Sequence, residues 1–400
     1  MTIYLHAGTP KTGTTALQGF LEANRDLLAE AGYRLPTFTK KPNHMELAAY
    51  ALKADKMVPI KLTMRLGTVE AVRRFKKRFA KRFAQSVDAT GDYIFTSEHC
   101  SGFLQRPNEL EALKKLLTST GQEVRVILYF REPADYLAAS FSTNVRNGET
   151  PRLNLPSAYA YETKYNYLKI CRLWARVFGK DAITPRLFIR DQMEGGLIEH
   201  DFCKLLGLPE SFMAKARFSE SASNVSLEPR VLSFLLAVNE QVPRIRDGAI
   251  NPLRDDLGAV CEAISSGQKV LVPERVRAAI YNSLIEDFAT WNERFLGGSF
   301  EWPFPLYKDA GKHPLEPLTA EEIREIGSLI FQEKARQLRE SQELSDQTNV
   351  AAAATWPSPH LEGAGKTAEG QDAEALKADF AQAWQSLIKQ VRDQRRSKAS

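Results

Sequence analysis

The first residues that could do chemistry form a loop rich in glycine and threonine near the N-terminus, Gly8-Thr-Pro-Lys-Thr-Gly-Thr-Thr15. The loop stands between a short apolar run and a helical pattern, so backbone N–H groups and the helix dipole would converge on one point. Gly13 lets the backbone approach a ligand closely, and Lys11 adds a positive charge. Thr14 and Thr15 add hydroxyls. The loop therefore predicts a site for a phosphate or sulfate group.

This loop differs from a Walker A loop at one decisive position. Gly8 and Gly13 have the spacing of G-x-x-x-x-G-K-[ST], but Thr14 occupies the lysine position and the lysine lies inside the loop, at position 11. A kinase or NTPase needs that lysine, so it is the weaker alternative. A relocated lysine favours a related loop with a different donor. In the simplest alternative, the loop is an ordinary turn and Lys11 is a solvated charge.

A second cation follows the run Val124–Phe130, which is almost continuously apolar. Such a run predicts a parallel strand covered on both faces. Arg131 stands at its carboxyl end, where open α/β sheets bind ligands, and Pro133 fits the first turn of a helix. Ser140 lies about two turns into that helix. An arginine near a hydroxyl suits a second phosphate, although Arg131 in a surface ion pair is an equally good interpretation of this segment alone.

Taken together, the two segments resemble the PAPS-dependent sulfotransferases, where PAPS is 3′-phosphoadenosine 5′-phosphosulfate. That family carries P-K-[TS]-G-[TS]-[TS] near the N-terminus and R-x-P with a serine eight or nine residues later. Ala16-Leu-Gln18 and Asp201–Leu208 resemble its bacterial carbohydrate-type branch, and the resemblance covers roughly residues 1 to 240. The donor-binding residues that it implies are Pro10, Lys11, Thr12, Gly13, Thr14, Thr15, Arg131 and Ser140.

The resemblance also implies a reaction. The sulfuryl group of PAPS would move by in-line displacement to a hydroxyl or amine of a glycan or glycolipid, leaving PAP as the product. Lys11 would stabilise the departing 5′-phosphate, and no metal is expected. The R-K-G-x-x-G-x-W segment of cytosolic relatives is absent, so Arg217, Ser219 and Asn224 are the candidates for the adenine end. The alternative from a different class is a non-catalytic nucleotide-binding scaffold.

A hydroxyl acceptor must lose a proton, so a general base is expected. Histidine suits this task because it titrates near neutral pH. The candidates, in order, are His44, Glu98, His99 and Glu46, of which His44 and Glu46 follow the first helix. Glu98 and His99 are adjacent, and in an extended chain their side chains would point in opposite directions.

Strands and helices alternate along the first half of the chain. Residues 3–7, 93–96, 124–130 and 183–189 form predicted strands, and residues 14–31 a predicted helix that closes at Gly32. This order predicts an α/β fold of the P-loop type, a three-layer sandwich with a central parallel sheet flanked by helices and a helical C-terminal part. We assign residues 1–340 to the sulfotransferase domain, which is helical from about residue 226.

Beyond that domain, residues 341–371 are poor in large apolar side chains and predict a disordered linker. Residues 372–396 predict an amphipathic helix with its stripe at Leu376, Phe380, Trp384, Leu387 and Val391. We expect this helix to dock on the domain or to form a homo-oligomer contact. Contact with a membrane surface is the third alternative.

A strongly basic stretch, Val72–Phe83, carries seven cationic residues around an apolar face of Val72, Phe75, Phe79 and Phe83. Such a helix is usually a solvated face over a core, and attraction of an anionic acceptor or of anionic lipid headgroups is the alternative.

Composition sets the remaining limits. The 400 residues are 43% hydrophobic and have a net charge of +5, which suits an anionic ligand without requiring nucleic acid. The four cysteines contain no C-x-x-C pair and are expected to be buried. Because Thr2–Ala7 reads as a strand, and because no apolar run is long enough to span a membrane, we expect a cytoplasmic protein, with the inner membrane surface as an alternative location.

Overall fold

The computed structural model describes residues 1–38, 43–56, 58–218, 226–247, 249–300, 315, 317–340 and 369–399. They belong to two compact units. The first comprises Met1–Tyr136, Leu155–Ser221 and Ala278–Leu306, and the second comprises Leu137–Asn154, Ala222–Arg277 and Tyr307–Ser400.

The strands are β1 Thr2–His6, β2 Tyr33–Arg34, β3 Asp92–Thr96, β4 Glu123–Phe130, β5 Ile183–Leu187, β6 Ile245–Arg246 and β7 Ala249–Ile250. The α-helices up to β4 are α1 Thr14–Ala23, α2 Arg25–Glu30, α3 Met45–Ala51, α4 Pro59–Thr63, α5 Val69–Ser86, α6 Glu98–Phe103 and α7 Pro107–Leu117. Those after β4 are α8 Pro133–Arg146, α9 Ala158–Ala160, α10 Tyr167–Phe178, α11 Ile198–Leu206, α12 Glu210–Met213, α13 Pro229–Gln241, α14 Leu257–Ala263, α15 Glu274–Leu296, α16 Ala320–Glu340 and α17 Glu369–Ala399.

The first unit is built on a parallel sheet with the strand order β2-β3-β1-β4-β5. Side chains alternate across its faces, as strand geometry requires. Ile127 and Tyr129 enter a core formed with α1 and α11. On the other face Phe95 stacks on Phe83 of α5, and Phe130 packs against Tyr167 of α10. The predicted α/β fold, with helices on both faces of a central parallel sheet and a helical C-terminal part, is confirmed.

One predicted helix is divided in two. Residues 14–31 form α1 and α2 with a break at Asn24, whose backbone leaves the helical region. The Asn24 amide donates to the carbonyl of Phe20 at 2.8 Å and to that of Arg217 at 2.9 Å, and its oxygen accepts from the Arg217 N–H at 2.7 Å. An asparagine that bonds to the backbone in this way competes with helical hydrogen bonds. The prediction of a continuous helix was therefore wrong.

Helices dominate the second unit, whose core joins α13, α14, α16 and α17. The apolar stripe of α17 is buried there: Phe380 and Trp384 are both 0% exposed. The Trp384 indole N–H also donates to the carbonyl of Arg254 at 3.1 Å. The C-terminal helix thus packs in the core of its own unit. Of the predicted linker, residues 341–368 lie outside the described part of the chain, and residues 369–371 belong to α17.

Three further findings concern the cysteines, membrane-spanning helices and metal-binding clusters. All four cysteines are buried and present as free thiols. Among the described residues, no helix is long and apolar enough to cross a membrane. The described residues also contain no cluster of three or more His, Cys, Asp or Glu side chains that could hold a metal ion.

Because Trp384 fills the core of the second unit, we expect Trp384→Ala to lower the free energy of unfolding by about 3–5 kcal/mol, through lost burial and the cavity left behind. Urea denaturation followed by circular dichroism measures this. Gln382→Ala, on the exposed side of the same helix, is the control and should change little. Equal stability of the two variants would contradict the packing of α17 in this core.

Candidate functional site

Two segments with predicted cations meet at one crevice of the sheet. β1 and β4 are hydrogen-bonded neighbours. After β1 the chain continues to β2 at one edge of the sheet, whereas after β4 it continues to β5 at the opposite edge. At such a switch point the loops diverge and leave a crevice at the carboxyl ends of the strands, where open α/β sheets bind ligands. The loop Gly8–Thr15 and Arg131 both follow these strands.

The loop has the backbone of an anion-binding nest. Lys11 and Gly13 both lie in the left-handed region, with φ of 72° and 71°, and Thr12 between them does not. Alternating handedness turns successive N–H groups toward one point. A non-glycine residue at such a φ is strained, and strain of this kind concentrates at functional sites. A Cβ at position 13 would lie 2.9 Å from Phe188, so glycine is also required for space.

Hydrogen bonds hold the loop to the rest of the first unit. Thr9 donates twice to the carbonyl of Tyr129 in β4, through its N–H at 2.9 Å and its hydroxyl at 3.0 Å. The Thr12 hydroxyl donates to the Thr9 carbonyl at 2.7 Å. From α6, the Ser101 hydroxyl donates to the Gly8 carbonyl at 2.8 Å. These bonds fix the loop before any ligand arrives.

Arg131 joins the two segments directly. Its guanidinium donates to the carbonyl of Lys11 at 3.0 Å and lies 3.5 Å from the carboxylate of Asp135. The Arg131 carbonyl accepts from the Tyr167 hydroxyl at 2.5 Å, and its side chain is only 18% exposed. The structure therefore brings Lys11 and Arg131 to the same crevice, as the sequence predicts, and places Arg131 in a wider set of contacts than a lone ion pair.

The start of α1 supplies further donors. Gly13 precedes the helix, its first turn holds no acidic residue, and Thr15 is exposed. Thr14 is only 6% exposed, and its hydroxyl has no hydrogen-bond partner among the described residues. A buried hydroxyl without a partner at a helix N-terminus fits an anion that is held there. Pro10, within the loop, is half-buried.

Glu132 is a site residue that the sequence reasoning missed. It caps α8: its carboxylate accepts from the N–H of Ala134 at 3.0 Å and from that of Asp135, and it also accepts from the Tyr281 hydroxyl. Burial raises the pKa of Glu132. The side chain thereby fixes the backbone that carries Arg131. An acidic residue directly before Pro133 is the capping signal that could have revealed it.

The first candidate base, His44, is buried and hydrogen-bonded to the backbone. It is 3% exposed. Its Nε2 lies 2.7 Å from the Pro36 carbonyl, and its Nδ1 accepts from the Thr96 N–H at 3.0 Å. Burial lowers the pKa of His44. With both nitrogens bonded to the backbone, the ring has no lone pair available for a substrate proton.

Glu98 has a more suitable position. It follows β3, whose His6–Thr96 register places it beside the loop after β1. Its carboxylate accepts from the Gln18 amide of α1 at 3.0 Å, and the side chain is 23% exposed. The chain is helical at this point, because α6 begins at Glu98, and His99 Nε2 lies 3.7 Å from the Glu98 carboxylate. Glu46 is buried, at 3% exposure.

The remaining candidates are less informative. Ser140 belongs to the second unit, where it is half-buried within α8. The side chain of Arg217 is exposed. Ser219 and Asn224 lie outside the described residues.

Comparisons with known proteins add little. The chain matches no protein-family model and is significantly similar to no curated protein. Among solved structures, a sulfotransferase from Alicyclobacillus acidocaldarius aligns with a TM-score of 0.35 at 16% identity, over 58% of this chain and 89% of that one.

A substitution at Gly13 tests the loop geometry. We expect Gly13→Ala to lower the free energy of unfolding by more than the 1–2 kcal/mol that a left-handed backbone costs alone, about 3 kcal/mol, since the new methyl group also meets Phe188. Urea denaturation provides the measurement. Gly32→Ala is a matched control, because Gly32 has a φ of +90° but open space around it. Equal losses in the two variants would argue against close packing at Gly13.

Proposed function

We propose that this chain is a PAPS-dependent sulfotransferase. The observation that carries the proposal is the bond from the Arg131 guanidinium to the Lys11 carbonyl, which unites two cationic segments at one crevice. A donor with two separated anionic groups fits such a pair. A kinase or NTPase is less suitable, because Thr14 stands where the Walker lysine would hold the β- and γ-phosphates.

Each part of the crevice has a proposed role. The loop N–H groups and the Thr14 hydroxyl hold the 5′-phosphosulfate, and Lys11 neutralises charge on the departing phosphate. Arg131 holds the 3′-phosphate by charge-assisted hydrogen bonds. Ser140 stays a proposed second donor to that phosphate. When bound, PAPS supplies the activated sulfuryl group, and the chain's own residues position it and stabilise the leaving group.

For the proton of the acceptor we propose Glu98 as the base. His44 has both ring nitrogens bonded to the backbone, whereas Glu98 is partly exposed next to the loop and is oriented by Gln18. A base must reach the proton it removes, so this geometry outweighs the histidine's more suitable ordinary pKa. His99, which lies beside Glu98, is the second choice. As acceptor we propose a hydroxyl or amine of a glycan or glycolipid.

Binding of PAP tests the donor site. At a PAP concentration one hundredfold above its Kd, the wild-type protein should gain about 2.7 kcal/mol of stability. Lys11→Ala and Arg131→Ala should each lose most of this gain, since a hydrogen bond to a charged group contributes about 1.5–3 kcal/mol. Thermal denaturation with and without PAP measures it. Lys180→Ala and Arg172→Ala, both exposed, are the controls. Stabilisation by ADP with Mg²⁺ but not by PAP would overturn the proposal.

Transfer of labelled sulfate from PAPS to a panel of glycans tests the chemistry. We expect Glu98→Gln to slow transfer by about 10²–10⁴-fold, the usual contribution of a general base, while the stabilisation by PAP persists. His99→Gln should have a much smaller effect on the rate. PAP binding without transfer to any acceptor would favour a nucleotide-binding scaffold, and full activity in Glu98→Gln would exclude its role as base.

A further inference from the structure

The exposed face of α5 is a dense patch of positive charge. Six of its seven cationic residues are exposed. For five of them, no ion pair or hydrogen bond reaches the charged group from the described part of the chain: Arg73, Arg74, Lys77, Arg78 and Lys81. The other two are engaged, since Arg82 donates to the Phe38 carbonyl at 2.8 Å and Lys76 lies over the Tyr50 ring. We call the five residues the basic face.

This helix holds the entire positive excess of the protein. The net charge is +5, and α5 contributes seven cationic residues and one acidic residue, so the rest of the chain is close to neutral. A solvated helix usually mixes its charges, as α16 does where Arg336 pairs with Glu333 and Glu340. Like charges one turn apart destabilise a helix. The basic face therefore lacks the alternation of positive and negative residues that would stabilise a solvent-exposed helix.

The opposite face of α5 is fixed in the core. Val72, Phe79 and Phe83 are buried, and Phe79 packs edge-on to Phe38 with ring centroids 4.9 Å apart. Phe83 stacks on Phe95 of β3 at 5.7 Å. The helix is thus held firmly on the first unit. Its buried side chains Val72, Phe79 and Phe83 are not available to any partner, and the half-buried Phe75 stacks on Phe79.

From these observations we propose that the basic face binds an anionic polysaccharide. Arg73, Lys77 and Lys81 form one row along the helix, with a rise of about 6 Å between successive members. Arg74 and Arg78 form a second row beside it. A linear polymer with regularly spaced carboxylates or sulfates matches such rows, and guanidinium groups bind these anions in a bidentate manner.

Two other polyanions fit less well. Peripheral helices usually bind membranes through an apolar face as well as charge, and the exposed positions of α5 hold no large apolar side chain. Single-stranded nucleic acid is normally held by aromatic stacking, which the basic face cannot offer. A DNA duplex binds cations through its phosphates alone, so it is the rival that the experiment below compares directly. An acidic glycan requires only charge density. The choice of this partner rests on the proposed function, where the polymer would serve as the acceptor and α5 would hold it outside the transfer site.

The test compares two triple variants with identical changes. The first replaces Arg74, Arg78 and Lys81 of the basic face by glutamine. The control replaces Arg172, Arg176 and Lys180 by glutamine, which are also two arginines and a lysine on an exposed surface of the first unit. Binding of heparin, of phosphatidylglycerol vesicles and of a 20-bp DNA duplex is measured by titration at several salt concentrations.

We expect the wild type to bind heparin more tightly than vesicles or duplex. The basic-face triple should lose about tenfold or more in heparin affinity at low salt, and its slope of log K against log salt should fall by about two to three, because three cations no longer release counterions. The control triple should keep both values. Removing like-charge repulsion should leave the folded helix intact, which circular dichroism verifies.

Three results would overturn the proposal: equal losses in the two triples, tighter binding of the vesicles, or tighter binding of the duplex. The outcome is separable from that of the donor site. The basic-face triple should be stabilised by PAP as much as the wild type is. If PAP stabilises neither protein, the proposed function fails while the polysaccharide site stands on the heparin data alone.

Discussion

The hydrogen bond between the Arg131 guanidinium and the Lys11 carbonyl is the contact on which the site depends. It connects two segments separated by about a third of the chain, and it exists because β1 and β4 are parallel neighbours whose carboxyl ends share one edge. The same bond holds the backbone of the loop beside the guanidinium, so the loop and the second cation occupy fixed positions relative to each other.

The strained loop requires support from distant residues. Lys11 holds an unfavourable backbone conformation, which persists only when surrounding contacts determine it. Thr9 hydrogen-bonds the loop to the backbone carbonyl of Tyr129. The side-chain hydroxyl of Tyr129 in turn donates to Asp201 of α11 at 2.6 Å. Arg186 of β5 pairs with the same carboxylate. The loop is therefore anchored to a strand residue whose own side chain is held by Asp201 and Arg186, on the face of the sheet that α1 and α11 cover.

Local patterns were sufficient to predict the four main strands, the loop and the two cations, because each rests on apolar runs and turn residues within a few positions. They were not sufficient where tertiary contacts decide. The break at Asn24 depends on the backbone of Arg217, and the two-residue strand β2 is too short to show a period. Likewise His44 was a reasonable base by its chemistry, but its burial against Pro36 and Thr96 is a property of packing.

Glu98 and His44 show how the end of one strand places two side chains in opposite environments. Thr96, the last residue of β3, donates its N–H to His44 and pairs in register with His6. The chain then turns into α6, so the residue two positions later emerges at the crevice. A histidine that closes the end of β3 must stay neutral, because a charged ring there would be buried without a counter-ion. The carboxylate beyond it keeps contact with solvent and with Gln18. His44 is therefore enclosed by the backbone at the strand end, at 3% exposure, whereas the Glu98 carboxylate keeps 23% of its side chain exposed.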